Sequence, residues 1–262
     1  MRELRKLYNQ EVIQTLPRLP RDFFARDGLV VAKELLGKIL VHETSIGTIR
    51  GIITEVESYM GVNDKGSHTY GGRRTERTEP MFHKGGTSYV YFTYGMYHCM
   101  NITTGWEDVP QAVLIRGVIP ADEASEQRML KLRMDAVRKQ TEKKLLRECR
   151  ENLAEQECGA VAVAEGEACS QGKAIQDIEE IVNRREKAIR KNLADGPGKL
   201  CIAMEVSKAD NDVDMVESPA FYVTEGIKIK PEDIKAGKRI GIDYAEEAAD
   251  YLWRFYVEQL EW

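Results

Sequence analysis

No apolar run in these 262 residues approaches the roughly 20 that a membrane-spanning helix needs, so no membrane partner is expected. The opening stretch MRELRKLYNQEV has charge but no apolar segment of the kind an export signal requires. Five cysteines (Cys99, Cys149, Cys158, Cys169 and Cys201) form no C-x-x-C pair and are odd in number, which argues against a zinc site and against a disulfide framework. An intracellular protein is expected, cytoplasmic or nucleoid-associated in a prokaryote and nuclear in a eukaryote. A basic excess is missing too. With 38 Lys and Arg against 43 Asp and Glu, the formal charge of −5 argues weakly against a nucleic-acid partner for the chain as a whole. Net charge averages over faces, however. The acids gather after Asp122 and from Glu205 onward, while Gly71 to Lys84 is locally basic.

What is present describes a globular chain. A 42% hydrophobic content beside 31% charged residues supports a core that buries roughly 70–75% of the unfolded surface. Neither an internal repeat nor a linker divides it, so residues 1–262 are read as one domain. Residues 1–20 are polar, end in LPRLPR, and read as a loosely held arm. The first helix is expected at about Ala25 to Leu36, capped by Asp27 and stopped at Gly37, with Phe23, Phe24, Leu29, Val30, Ala32, Leu35 and Leu36 as its apolar face. Strands are expected at Lys38 to Glu43 and Gly47 to Tyr59, joined as a hairpin, and at Gln111 to Ile119, where Arg116 stands near the end of an apolar run. Residues 122–194 change character to Lys, Arg, Glu, Leu and Ala, which predicts two helices, at 122–156 and 174–193. They form a charged helical insertion at about 130–192, read as a solvated excursion. The apolar pattern resumes with GPGKLCIAMEV (Gly196 to Val206), read as a glycine turn and a short strand, and with a strand at Ala220 to Lys228.

The stretch Gly51 to Asn101 organises the rest. Alternation along its first strand places Ile53, Glu55, Glu57 and Tyr59 on one face. A Gly- and Arg-rich loop then carries His68 with Arg73, Arg74 and Arg77. Two further strands, Ser88 to Phe92 and His98 to Thr103, bend around Tyr94-Gly95-Met96, and Tyr89, Tyr91, Tyr94 and Tyr97 crowd ten residues. An acid on a rigid strand, a histidine, a basic loop and an aromatic platform suit a nucleobase site. From the residues alone Glu55 competes with Glu57, a loop histidine is more often structural than functional, and Arg116 reads equally well as a buried ion-pair partner. His83, His98 and Cys99 read as structural.

In order along the chain, ESYMG, HTYGGRRT, MFHKGGTSYVYFTYGMYHCMN, the lone Arg116, GPGKLC and RIGIDY…RFYV together resemble the alkyladenine (3-methyladenine) DNA glycosylase family, from about Phe23 to Val257 apart from the insertion. The resemblance implies a single α+β domain, in which flanking helices and a curved, mostly antiparallel sheet with a protruding hairpin support a positively lined groove. It also implies a monofunctional enzyme, without metal or cofactor, that acts as a monomer on double-stranded DNA. Damaged purines (3-methyladenine, 7-methylguanine, hypoxanthine, ethenoadenine) would be flipped from the duplex and cut at the N-glycosidic bond. By position, Glu57 matches the acid that activates water, and Tyr59, His68, Tyr91 and Asn101 match the base pocket, Asn101 screening against the amine of guanine. Tyr94 matches the wedge that fills the flipped nucleotide's place, while Arg73, Arg116 and Lys199 match DNA-backbone contacts. A protein that binds damaged DNA without cutting it is the alternative reading, against which the intact Glu57 speaks.

Overall fold

The computed structural model describes residues 10–93, 95–156 and 167–258. Its centre is one antiparallel sheet of eight strands among the described residues: β1 (Ile39–Thr44), β2 (Gly47–Tyr59), β3 (Ser88–Thr93), β4 (Tyr97–Thr104), β5 (Gln111–Pro120), β6 (Phe221–Thr224), β7 (Ile234–Gly237) and β8 (Arg254–Val257). The spatial order is β3-β4-β5-β2-β1-β6, with β8 pairing both β2 and β7. The α+β class expected from the sequence is thus the one observed.

Strand β2 positions the site because it is shared. Along one edge it pairs with β5 from Gly51 to Tyr59. The other edge is divided, with β1 taking Gly47 to Ile52 and β8 taking Glu55 to Glu57. Its register with β5 shifts between Ile53 and Glu55 and again between Glu55 and Val56, so the uniform alternation expected from Ile53 to Tyr59 is interrupted there. Beyond the irregularity Glu57 and Tyr59 keep a common face. The β1–β2 turn needs its glycine, since Gly47 sits at φ 104°. Ile39, Val41, Ile52, Ile119 and Ala121 form a buried cluster with Ile13 between this sheet and α1 (Gln10–Thr15).

Several expectations are corrected. Residues 13–20 are not a loose arm: Ile13 and Leu19 are buried, Leu19 N–H donates to Val223 O, and the Arg18 guanidinium lies 3.6 Å from the centre of the Tyr222 ring. The helix expected at Ala25 to Leu36 is α3 (Gly28–Leu35), capped as expected by the Asp27 carboxylate, which accepts from Leu29 N–H and Val30 N–H, but Phe23 and Phe24 belong to a separate short helix before it, α2 (Arg21–Phe24). Val31, Ala32 and Leu35 of α3 are buried, whereas Val30, expected on the apolar face, is exposed. Strand β6 stops at Thr224 because the chain at Gly226 passes against Gly37, where a Cβ on Gly226 would stand 2.1 Å from Gly37 O. The segment after Gly196 is a helix, α6 (Pro197–Ala203), and not a strand. Gly196 at φ 100° and Pro197 at the first helical position start it, and Leu200, Cys201, Ala203 and Met204 are buried at helical spacing. A short apolar run does not separate the two periods.

The chain divides into two compact units, residues 1–129 with 194–262 and residues 130–193. The sheet belongs to the first. Helices α4 (Glu123–Gln156) and α5 (Glu167–Lys191) supply the second, where Arg138 forks onto Glu179 (Nε–Oε1 3.1 Å, Nη2–Oε2 3.1 Å) and also meets Asp135 at 2.8 Å. Among the described residues no helix is long and apolar enough to cross a membrane.

Candidate active site

The C-terminal half of β2, the loop after it, the β3–β4 pair and residues 240–244 enclose a cavity of about 250 Å³. Tyr59, His68, Tyr91, Asn101 and Arg116 all line it, which brings together five of the nine residues singled out in the sequence. Glu57 stands directly behind that wall. It is fully buried, and each of its hydrogen-bonding partners lines the cavity. Its Oε1 accepts from Ile240 N–H (2.8 Å) and faces Arg116 Nη1 (3.3 Å), while Oε2 accepts from the Tyr59 hydroxyl (2.9 Å).

The carboxyl's proton affinity is the resultant of opposed effects. Burial raises it most; Arg116, the Ile240 amide and the Tyr59 hydroxyl pull it down, and Glu55 adds to the rise. The net shift is upward from the usual carboxylate range. Arg116 is in turn shared, its Nε donating to Glu55 Oε1 at 3.0 Å, and Arg254 from β8 reaches the same oxygen at 3.1 Å. Glu55 and Glu57 thus divide their roles, the first holding two arginines and the second facing the cavity wall. Arg116, expected to touch DNA phosphate, is also the buried ion-pair partner that the sequence left open.

The aromatic wall is built by β3. Tyr91 lies 4.7 Å from His68 and 5.2 Å from Tyr89, centre to centre, and Arg77 sits 5.0 Å above the Tyr91 ring. Burial, together with Arg77 and Arg73, lowers the His68 pKa to about 4, so the ring is neutral at physiological pH. The Tyr89 hydroxyl lies 2.8 Å from His68 Nδ1. Asn101 is buried opposite Tyr89 in the β3–β4 register, and its Nδ2 donates to Tyr89 O at 3.0 Å.

Because His68 binds its proton less readily when folded (about 4) than when unfolded (about 6.5), it favours the folded state above pH 6.5, and that contribution is lost as pH falls from 6.5 towards 4. A His68→Gln variant should show a flatter decline of the thermal midpoint over that interval. Equal slopes for variant and wild type would show that His68 is not held neutral.

The remaining site residues are placed as follows. Arg73 is exposed and lines an adjoining cavity of about 330 Å³, which also has Lys65, Arg77 and Tyr244 in its wall. Lys199 is half-buried on the first turn of α6, two residues from Pro197 at the cavity. Tyr94 lies outside the described residues. Cys99, expected to be structural, lines the cavity beside Tyr91, whereas His83 is bonded to Asp212 at 2.7 Å and His98 stacks on Phe92. Sequence reasoning missed Tyr89 as the partner of His68, Ile240 as the donor to Glu57, and Arg254. Tyr89 alternates with Tyr91, which was a usable signal; the other two meet β2 from nearly 200 positions away.

The methylpurine-DNA glycosylase family model matches residues 22–148 and 154–261. A protein of Clostridium acetobutylicum named "Putative 3-methyladenine DNA glycosylase" is 41% identical over 244 residues, spanning 92% of this chain and 94% of its own. Relatives of the same name are 40% identical in Clostridium perfringens strain SM101 (92% and 96% covered) and 38% identical in Clostridium tetani (94% and 98%). Matches of this identity across both chains leave no other assignment: the chain belongs to the methylpurine-DNA glycosylase family and is a DNA glycosylase for alkylated bases.

Proposed function

We propose that the enzyme flips alkylated or deaminated purines, among them 3-methyladenine, 7-methylguanine, hypoxanthine and ethenoadenine, out of duplex DNA and hydrolyses the N-glycosidic bond with water activated by Glu57. The observation that carries this reading is the buried Glu57 carboxylate, joined by three short contacts to the wall of an aromatic cavity and raised in proton affinity. A base inside the duplex is out of reach, so flipping costs a few kcal/mol of unstacking, less at a damaged site. Stacking against the rings of Tyr59, His68 and Tyr91 offsets that by about 1–3 kcal/mol per base, with about 0.5–2 kcal/mol more for a cationic purine.

Glycosidic cleavage builds positive charge on the sugar, which a carboxylate stabilises while taking a proton from the attacking water. Neutral His68, its Nδ1 engaged with the Tyr89 hydroxyl, is unsuited to protonating a leaving base and has its second ring nitrogen available to a purine edge. Replacing Tyr89 by Phe removes the partner of His68 Nδ1, and the preference for hypoxanthine over adenine should change by about tenfold, the equivalent of one hydrogen bond. Parallel loss on both substrates would show that Tyr89 only shapes the cavity.

Tyr94 as wedge, Asn101 as the screen against guanine, and Arg73, Arg116 and Lys199 as phosphate contacts complete the proposed DNA interface. The enzyme would act intracellularly, as a monomer, with the whole chain working as one glycosylase domain that carries residues 130–192 as a helical insertion. Binding through phosphates should weaken with salt. The decisive test is single-turnover release of base from a duplex carrying one hypoxanthine, with methylated duplex alongside; lesion binding without release from either would overturn hydrolysis.

A further inference from the structure

Against the ring of Tyr59 lies a fully buried ion pair that takes no part in the proposed hydrolysis. Arg239 Nη1 meets Asp64 Oδ2 at 2.5 Å and Nη2 meets Oδ1 at 2.8 Å, with both side chains wholly withdrawn from solvent. The same guanidinium donates to Ser58 O (3.0 Å) and Ala248 O (3.1 Å) and is held between two rings, 4.8 Å from the centre of Tyr59 and 5.0 Å from that of Trp253. Its Nε has no hydrogen-bond partner although it is buried. Asp64 in turn accepts from Met60 N–H and Gly66 N–H, which fixes the loop leading to His68.

Such a pair is a poor device for stability alone, since desolvating both charges cancels much of their attraction and an apolar pair of the same volume serves as well. What it joins is specific. Ser58 and Tyr59 follow Glu57 on β2, Asp64 and Gly66 precede His68, and Ile240, whose N–H donates to Glu57, is the residue after Arg239. We infer that the Asp64–Arg239 pair is a positioning element for the hydrolytic carboxylate, setting the Tyr59 ring and the Ile240 amide against Glu57 at the same time. The inference rests on Glu57 being the base. Arg239 is buried behind Tyr59 and acts through its neighbours rather than on the substrate.

Removing the guanidinium should let the Ile240 amide drift from Glu57 Oε1. That amide holds the carboxyl's proton affinity down, so its loss raises the pH at which Glu57 deprotonates and shifts the acid limb of the rate profile upward. The experiment compares wild type, Arg239→Lys, Arg239→Met and Trp253→Leu in single-turnover hypoxanthine release across pH 5–9, with equilibrium binding of the same duplex measured beside it. Expected are a cleavage rate reduced by about ten- to a hundredfold in the arginine variants at pH 7, an upward-shifted acid limb, and binding within about threefold of wild type. Arg239→Lys should recover part of the rate. Trp253→Leu keeps the ion pair while loosening its stacking, so it reports a smaller shift of the same sign even where the arginine variants do not fold. An unshifted acid limb in Trp253→Leu and in every folded arginine variant, with rates falling only as the folded fraction falls, overturns the inference. A wild type that releases base from neither this duplex nor a methylated one would instead count against the hydrolytic role of Glu57 on which the inference rests.

Discussion

Glu57→Gln is expected to reduce base release by roughly 10²–10⁴-fold, the span of one acid–base group, and to leave the folded protein at least as stable as wild type at pH 8. Gln keeps the shape and an acceptor for the Ile240 amide and the Arg116 guanidinium, but it cannot take a proton from water. The stability half follows from the raised proton affinity. A carboxyl that binds its proton more tightly in the folded than in the unfolded state favours folding below its unfolded pKa, and that advantage is lost as pH rises through the folded value. At pH 8 the ionised, buried Glu57 is therefore a burden that Gln removes. The thermal midpoint of the variant should exceed that of wild type at pH 8 and converge on it towards pH 4. A variant that is markedly less stable at pH 8 would mean that Arg116 and the two other partners outweigh burial. Retained single-turnover release would remove Glu57 from the mechanism.

Arg116→Met should be the most damaging single change in the site, costing about 3–5 kcal/mol at pH 8 because it leaves two buried or half-buried carboxylates without their shared cation. Arg254 still reaches Glu55, so the stranded charge is Glu57. The loss should shrink towards pH 5 as Glu57, whose proton affinity rises further without the guanidinium, takes up a proton. Urea unfolding at the two pH values separates the cases. Equal destabilisation at both would show that the stem of Arg116 matters through packing, not through charge.

Much of this site was legible because its parts are local. Glu57 and Tyr59 are two residues apart on one strand, and the structure joins them directly; Tyr91 and His68 lie near each other in sequence and meet edge to face. What was illegible is whatever closes the site from a distance. Arg239 and Asp64 stand 175 positions apart, and neither carries a local pattern that names the other. The misread segment after Gly196 has a different cause. Leu200 to Met204 is apolar throughout, so neither period shows, and the Gly-Pro pair that starts a helix also serves a turn. The Asp27 cap was legible, whereas the apolar face concealed that Phe23 and Phe24 belong to a separate turn of helix before it.

The shared edge of β2 also dictates when the enzyme can work. Strands β1 to β5 are complete by Pro120, yet the amide that supports Glu57 comes from Ile240 and the strand beside it spans Arg254 to Val257. During synthesis the carboxylate therefore waits, half-walled, for the last segments of this stretch to emerge. A ribosome-bound chain stopped before Lys238 would carry every strand of the cavity's aromatic wall and still lack the groups that hold its base in place.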